Sequence, residues 1–139
     1  MNNYTIIIPH YNGKEILDRC LSSIKKNQKN TPEILVIDNA STDNSISYIR
    51  GKFSDVTIIK SDKNLGYAGG CNLGAKKASN DYIVFLNNDT IVEEGWDDIL
   101  LENLQDETIA SVQPKIKNLS KKDYFDYAGA SGGFLDMFC

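Results

Sequence analysis

Four short, predominantly apolar runs, at 4–8, 34–37, 56–59 and 82–86, constrain this chain more than any other feature. Each is rich in Ile, Val or Leu and lacks the polar–apolar alternation of a strand wetted on one side. Runs of this kind mark strands covered on both faces. Between them the apolar period changes to that of a helix. Ile16, Leu17, Cys20, Leu21 and Ile24 form one stripe, with Asn12 and Glu15 spaced as an N-cap and its reciprocal partner. Ser41 is expected to cap a second helix carrying Ile46 and Ile49. A third helix is expected over 68–78, and a fourth over 96–104 with Trp96, Ile99, Leu100 and Leu104 inward. Strand and helix alternating every ~25 residues predict parallel strands joined by right-handed crossovers. The fold class is therefore α/β: an open, mostly parallel, Rossmann-like sheet with helices on both faces. Residues 110–116 predict a further strand, which Pro114 confines to an edge or a bulge. A single domain over 1–139 suits a chain of this length.

Composition removes several function classes. A net charge of -4 argues against nucleic acid as a partner, because backbone binding needs clustered Lys and Arg. The pairs Lys25-Lys26, Lys76-Lys77 and Lys121-Lys122 read as solvated surface. Cys20, Cys71 and Cys139 lack metal-like spacing, and Cys20 and Cys71 fall in apolar helical patterns, as small buried hydrophobes of a reducing compartment do. No signal peptide and no bilayer-spanning apolar run is visible, so the chain is expected to be cytoplasmic, with any association at the inner face of a membrane made through other parts of the protein. Residues 123–139 are rich in Gly and aromatics, including Tyr124, Phe125, Tyr127, Phe134 and Phe138, and are expected to pack on something further along a longer chain.

In open parallel sheets ligands bind beyond the carboxyl ends of the strands. The residues there are Pro9 to Gly13, Asp38 to Ser41, Ser61 to Gly70, and Asn87 to Asp89. Asp38 ends a strand and can accept hydrogen bonds from a ribose or a base N–H; the plainer alternative is that it caps the next helix, for which Ser41 is already well placed. Residues 64–72, NLGYAGGCN, form a glycine-rich helix entry, either a close approach for a phosphate or only a tight turn. They are neither a Walker loop nor a dinucleotide fingerprint. Asp89, after Asn87 and Asn88, can hold Mn2+ or Mg2+ that grips a diphosphate, or the three residues are simply a turn. Tyr11 stacks on a flat base or packs over the sheet edge, and His10, the sole histidine, is a loop residue or a catalytic one.

In order and spacing, TIIIPHYN at 5–12, VIDNASTD at 36–43, NLGYAGGCN at 64–72 and FLNNDT at 85–90 resemble the successive signatures of the family-two glycosyltransferases, closest to the rhamnosyltransferase-like and polysaccharide-building branches. The resemblance covers residues 4 to about 100 and, more loosely, the rest. It implies a GT-A fold and transfer of a sugar from a nucleotide-diphosphate donor to a saccharide or lipid-linked acceptor hydroxyl, with inversion. It also implies that Pro9 and Tyr11 line the base pocket and that Asp38 binds base or ribose. Gly66, Gly70 and Asn72 would border the nucleotide, Asn87 and Asn88 would reach ribose or phosphate, and Asp89 would hold the metal.

Two departures accompany the likeness. Asn87 is neutral where many relatives carry Asp, which weakens the expected hold on metal. Such enzymes also need an acidic general base from a later segment. Asp123, Asp126 and Asp136 are available carboxylates, but none has the expected setting. A chain without a base would hold the donor without turning it over. The alternative is a non-catalytic nucleotide-binding module of the same fold. A phospho-acceptor signalling domain is disfavoured, since the first strand ends in Pro-His-Tyr-Asn rather than an acidic pair.

Overall fold

The computed structural model describes residues 3–121 and 123–125. It divides into two compact units, Met1–Asp97 and Asp98–Cys139. The first contains β1 (Tyr4–His10), α1 (Lys14–Asn27), β2 (Glu33–Asp38), α2 (Ser45–Lys52), β3 (Val56–Lys60), α3 (Gly66–Ala75) and β4 (Tyr82–Phe85). The strands are all parallel in the order β3-β2-β1-β4. This is the open α/β sheet that the apolar runs predict.

β1 and β2 are central and almost wholly buried. Alternation along them sends Ile7, Leu35 and Ile37 to one face, where Ile59, Leu73 and Ile83 complete a cluster beneath α3. Ile6, Ile8, Ile34 and Val36 have the other parity. α3 approaches its face closely at Gly74, where a Cβ would lie 2.4 Å from Ile7 Cγ2 and 3.2 Å from Ile37 Cδ1.

The strands outrun the apolar segments. His10 pairs with Asp38 and Asp38 with Lys60, so these polar residues belong to the ladder rather than to the loops after it. The helix entries also differ from expectation. Asn12 does not cap α1: it adopts a left-handed conformation, φ 56, and its Oδ1 accepts the N–H groups of Thr42 (2.8 Å) and Asp43 (3.3 Å). Gly13 caps instead, its N–H donating to Asp43 Oδ2 at 2.7 Å. Ser41 does not cap α2, which starts four residues later behind Asn44. Its Oγ accepts the Asn12 N–H and its own N–H donates to Asp38 Oδ1. In both places a partner about 30 residues distant displaces the local cap, which sequence spacing does not report.

Within α1, Leu17, Cys20, Leu21 and Ile24 are buried, while Ile16 lies over the Gly13 turn and stays 38% exposed. Helix α4 (Trp96–Asn103) exists as expected, but Ile99 is exposed and Leu101 is buried. The buried positions Asp97 and Leu101 are one turn apart, and Ile99 is ~200° of helix rotation from each. Asp97 accepts hydrogen bonds from Tyr4 Oη, Asn30 N and Asn30 Nδ2 at 3.0 to 3.1 Å. Burial pushes its carboxyl pKa up, but these bonds outweigh that and hold it below the ordinary value.

In the second unit, residues 110–116 form no strand. Pro114 removes a donor and the side chains around it are exposed, so no apolar face drives pairing. The pairing there is an isolated antiparallel bridge, Lys117 to Phe125. Asp126, Asp136, Cys139 and most of the 123–139 segment lie outside the described residues. Among the described residues, no helix is long and apolar enough to cross a membrane.

Candidate functional site

Because every strand runs the same way, all carboxyl ends open on one rim. β1 stands between β2 and β4, and the winding reverses at the β1–β4 step. That reversal leaves a crevice, the usual ligand position in such sheets. Tyr11 leaves β1 there, 50% exposed. Beyond β4, the pairing of Leu86 N–H with the Ile7 carbonyl is followed by a turn closed by Thr90 N–H to the Asn87 carbonyl at 3.2 Å. This turn presents Asp89, whose exposed carboxylate makes no hydrogen bond or ion pair among the described residues. The side chains of Asn72 and Asn87 are likewise exposed.

The charge of Asp89 is felt on two neighbouring elements. Burial, aided by Asp89, pushes the Cys20 thiol up to about 12. Burial, then Cys71, then Asp89 raise Tyr67 to about 12. The same turn touches α1 directly, the Cys20 thiol reaching the Asn87 carbonyl at 3.7 Å.

The α3 entrance joins the rim through Asn39, which sequence reasoning left without a role. Asn39 Nδ2 donates to the Gly66 carbonyl at 3.2 Å, with Gly66 left-handed at φ 69. Gly70 packs so tightly that a Cβ there would lie 3.1 Å from both Pro9 Cβ and Asn39 Nδ2. Asp38, one residue earlier, has the opposite parity and turns away from α3. It is 1% exposed; Oδ1 accepts the Ser41 N–H at 2.8 Å, and Oδ2 is buried without a partner among the described residues. An unmatched buried carboxylate oxygen calls for a donor, which none of the described residues supplies. Beside it lies a cavity of about 230 Å³ between α2 and the ends of β2 and β3, lined by Asp38, Ser41, Ser47, Arg50 and Lys60 among others. The structure therefore brings Pro9, Tyr11, Asp38, Gly66, Gly70 and Asp89 to one rim, with Asp38 and the glycine segment on opposite faces of it.

His10 is neither an open loop residue nor exposed to solvent. It is 1% exposed and bonded through both ring nitrogens. Burial lowers its pKa, with Asp43 and Asp38 opposing. The folded chain then takes up a proton less readily than the unfolded chain, so stability is full above the ordinary value of 6.5 and falls as the pH drops below it. The melting temperature should decline from pH 7 to pH 5, and His10→Asn should remove that slope, since no other histidine is present. An unchanged slope in the variant would contradict a neutral buried imidazole.

Among the described residues there is no group of three or more His, Cys, Asp or Glu placed to hold a metal. A lone carboxylate suffices for Mg2+ or Mn2+ when phosphate oxygens and water complete the shell, and the exposed carboxylate of Asp89 fits that need.

Comparison with known proteins gives the family and the fold. The model of the family described as glycosyl transferase family 2 matches residues 5–131. A poly-beta-1,6-N-acetyl-D-glucosamine synthase of Staphylococcus aureus is 29% identical over 141 residues, covering 95% of this chain and 34% of that protein. The chain thus spans about a third of the length of that relative. The crystal structure of S. aureus TarS superposes with a TM-score of 0.74 at 18% identity, covering 99% of this chain and 23% of TarS. A mannosyltransferase from Pyrobaculum calidifontis, solved with GDP-Man and Mn2+, gives 0.67 at 22% identity, covering 83% and 35%. These structures share the fold, an α/β arrangement of GT-A type.

Proposed function

Since the chain belongs to glycosyl transferase family 2, we propose that its rim holds a nucleotide-diphosphate sugar for transfer, with inversion, to an acceptor hydroxyl of a saccharide or lipid-linked chain. The observation that carries this is the exposed carboxylate of Asp89 on the turn after β4, beside the β1–β4 crevice. Pro9 and Tyr11 border the base, Asp38 receives a donor from base or ribose, and Gly66, Gly70 and Asn72 let the nucleotide approach α3. The first-turn N–H groups of α3 face a diphosphate favourably, as helix N-termini do. Asn87 reaches ribose or phosphate, and Asp89 holds Mn2+ or Mg2+. The ion supplies charge neutralisation at the departing diphosphate. None of the described carboxylates takes the role of general base in this reading. The supporting likenesses are TarS solved with UDP and the mannosyltransferase solved with GDP-Man and Mn2+.

Calorimetric titration of UDP, GDP and dTDP into the folded protein, with and without Mn2+, tests the proposal. At least one nucleotide should bind about tenfold more tightly with the ion, a gain of ~1.4 kcal/mol. Failure of all three to bind would remove the donor site.

A further inference from the structure

The side chain of His10 is buried, yet it ties together the segments that carry the cleft. Its Nδ1 lies 3.0 Å from Asn88 Nδ2, and its Nε2 lies 2.9 Å from Ser45 Oγ. The far end of this line sets every proton. The carboxylate of Asp43 only accepts, so Ser45 Oγ–H donates to Asp43 Oδ1. Ser45 Oγ then receives the Nε2–H of His10, which leaves Nδ1 bare to accept the Asn88 amide. The remaining oxygen of Asp43 accepts the Gly13 N–H at 2.7 Å. One line of aligned donors thus joins the turn after β4, the end of β1 and the start of α2, and at Asp43 it meets the Gly13 N–H from the entry to α1.

Among the described residues, the turn over residues 87–90 has few other holds. Thr90 N–H closes it at 3.2 Å, and the Cys20 thiol reaches the Asn87 carbonyl at 3.7 Å, a weak bond. We infer that His10 is a positioning residue for the donor cleft: by accepting the Asn88 amide it sets the turn that presents Asp89. Asn88 then serves the turn rather than the ligand. The inference rests on the donor-site reading above.

Two near-isosteric substitutions separate the halves of the line. His10→Asn places an amide oxygen where Nδ1 stands and keeps the acceptor for Asn88, losing the donor to Ser45. His10→Gln reaches Ser45 with its amide N–H and drops the acceptor. Both should lower the melting temperature, since each loses one of two buried bonds. Titration of UDP and GDP with Mn2+ should show binding weakened about tenfold in His10→Gln and within about threefold of wild type in His10→Asn. Affinity losses that simply follow the loss of melting temperature, or that are equal in the two variants, overturn the inference. Should His10→Gln not fold, Asn88→Ala cuts the same link: it should lose about tenfold with Mn2+ and little without the ion. Wild-type binding by Asn88→Ala, or a loss of equal size without the ion, overturns the inference too. Wild-type protein that binds neither nucleotide takes down the donor reading itself, whereas normal binding by His10→Gln takes down this inference alone.

Discussion

Gly74→Val should destabilise the protein by about 3 kcal/mol or more in urea unfolding, and Gly74→Ala by about 2 kcal/mol. Helix propensity predicts the opposite sign for alanine, a gain of about 1 kcal/mol in the interior of a helix. Packing decides against it. A Cβ at 74 would sit 2.4 Å from Ile7 Cγ2, a separation that real contacts do not reach. That methyl is attached directly to the Ile7 Cβ, and Ile7 is fully buried on a central strand paired on both sides. No rotation about χ2 moves it, and χ1 of a β-branched residue has little freedom. α3 must therefore lift from the sheet, taking with it the contacts of Gly70 with Pro9 and Asn39 at the rim. Gly51, with nothing within 4 Å of its Cβ position, is the control: Gly51→Ala should be neutral or stabilising by up to about 1 kcal/mol. If Gly74→Ala behaves like Gly51→Ala, the close approach of α3 to Ile7 is wrong.

The centre of this fold was legible in the sequence because burial on both faces leaves a local signature, an apolar run without alternation; β1 and β2 are buried in that way, whereas the edge strands β3 and β4 carry the same signature half-buried, with Phe85 50% exposed. The four runs marked the strands, and their spacing with helical segments gave a parallel sheet. The ends were less legible, because hydrogen bonding of the backbone does not stop where apolar side chains do: His10 and Asp38 are still in register as a pair. Capping was misread for a different reason. Asn12 and Ser41 have the side chains of local caps, but each found a partner across the rim, and no local pattern encodes a contact 30 residues away. Ile99 and residues 110–116 show that apolar character alone fixes neither helix rotation nor strand pairing. At the site, the positions after the strands did converge on one rim. Alternation along β2 also separates Asp38 from Asn39, a step of one residue that sends one side chain toward α2 and the other to the Gly66 carbonyl. The line from Asn88 through His10 to Asp43 joins residues 88, 10, 45 and 43, an order that only the folded topology brings together.

Asp89→Ala should abolish the Mn2+-dependent part of nucleotide binding, about a hundredfold or more, while leaving the melting temperature nearly unchanged. Substitutions in the outer shell of a metal site already cost about 10- to 100-fold. Loss of the one carboxylate proposed to touch the ion belongs at the upper end of that range or beyond. The stability half of the expectation follows from the environment of Asp89. It is exposed and makes no hydrogen bond or ion pair among the described residues, so truncation removes nothing that the fold uses. Surface changes of that kind stay within about 0.5 kcal/mol. This combination separates Asp89 from His10 and Gly74, whose variants should lower stability. Asn87→Asp supplies the converse: a second carboxylate on the same turn should tighten Mn2+, by the same attraction that Asp89→Ala removes. If Asp89→Ala binds nucleotide with Mn2+ as wild type does, the ion is held elsewhere or not used. If it loses binding equally with and without the ion, Asp89 acts on the nucleotide directly and the metal reading falls while the cleft remains.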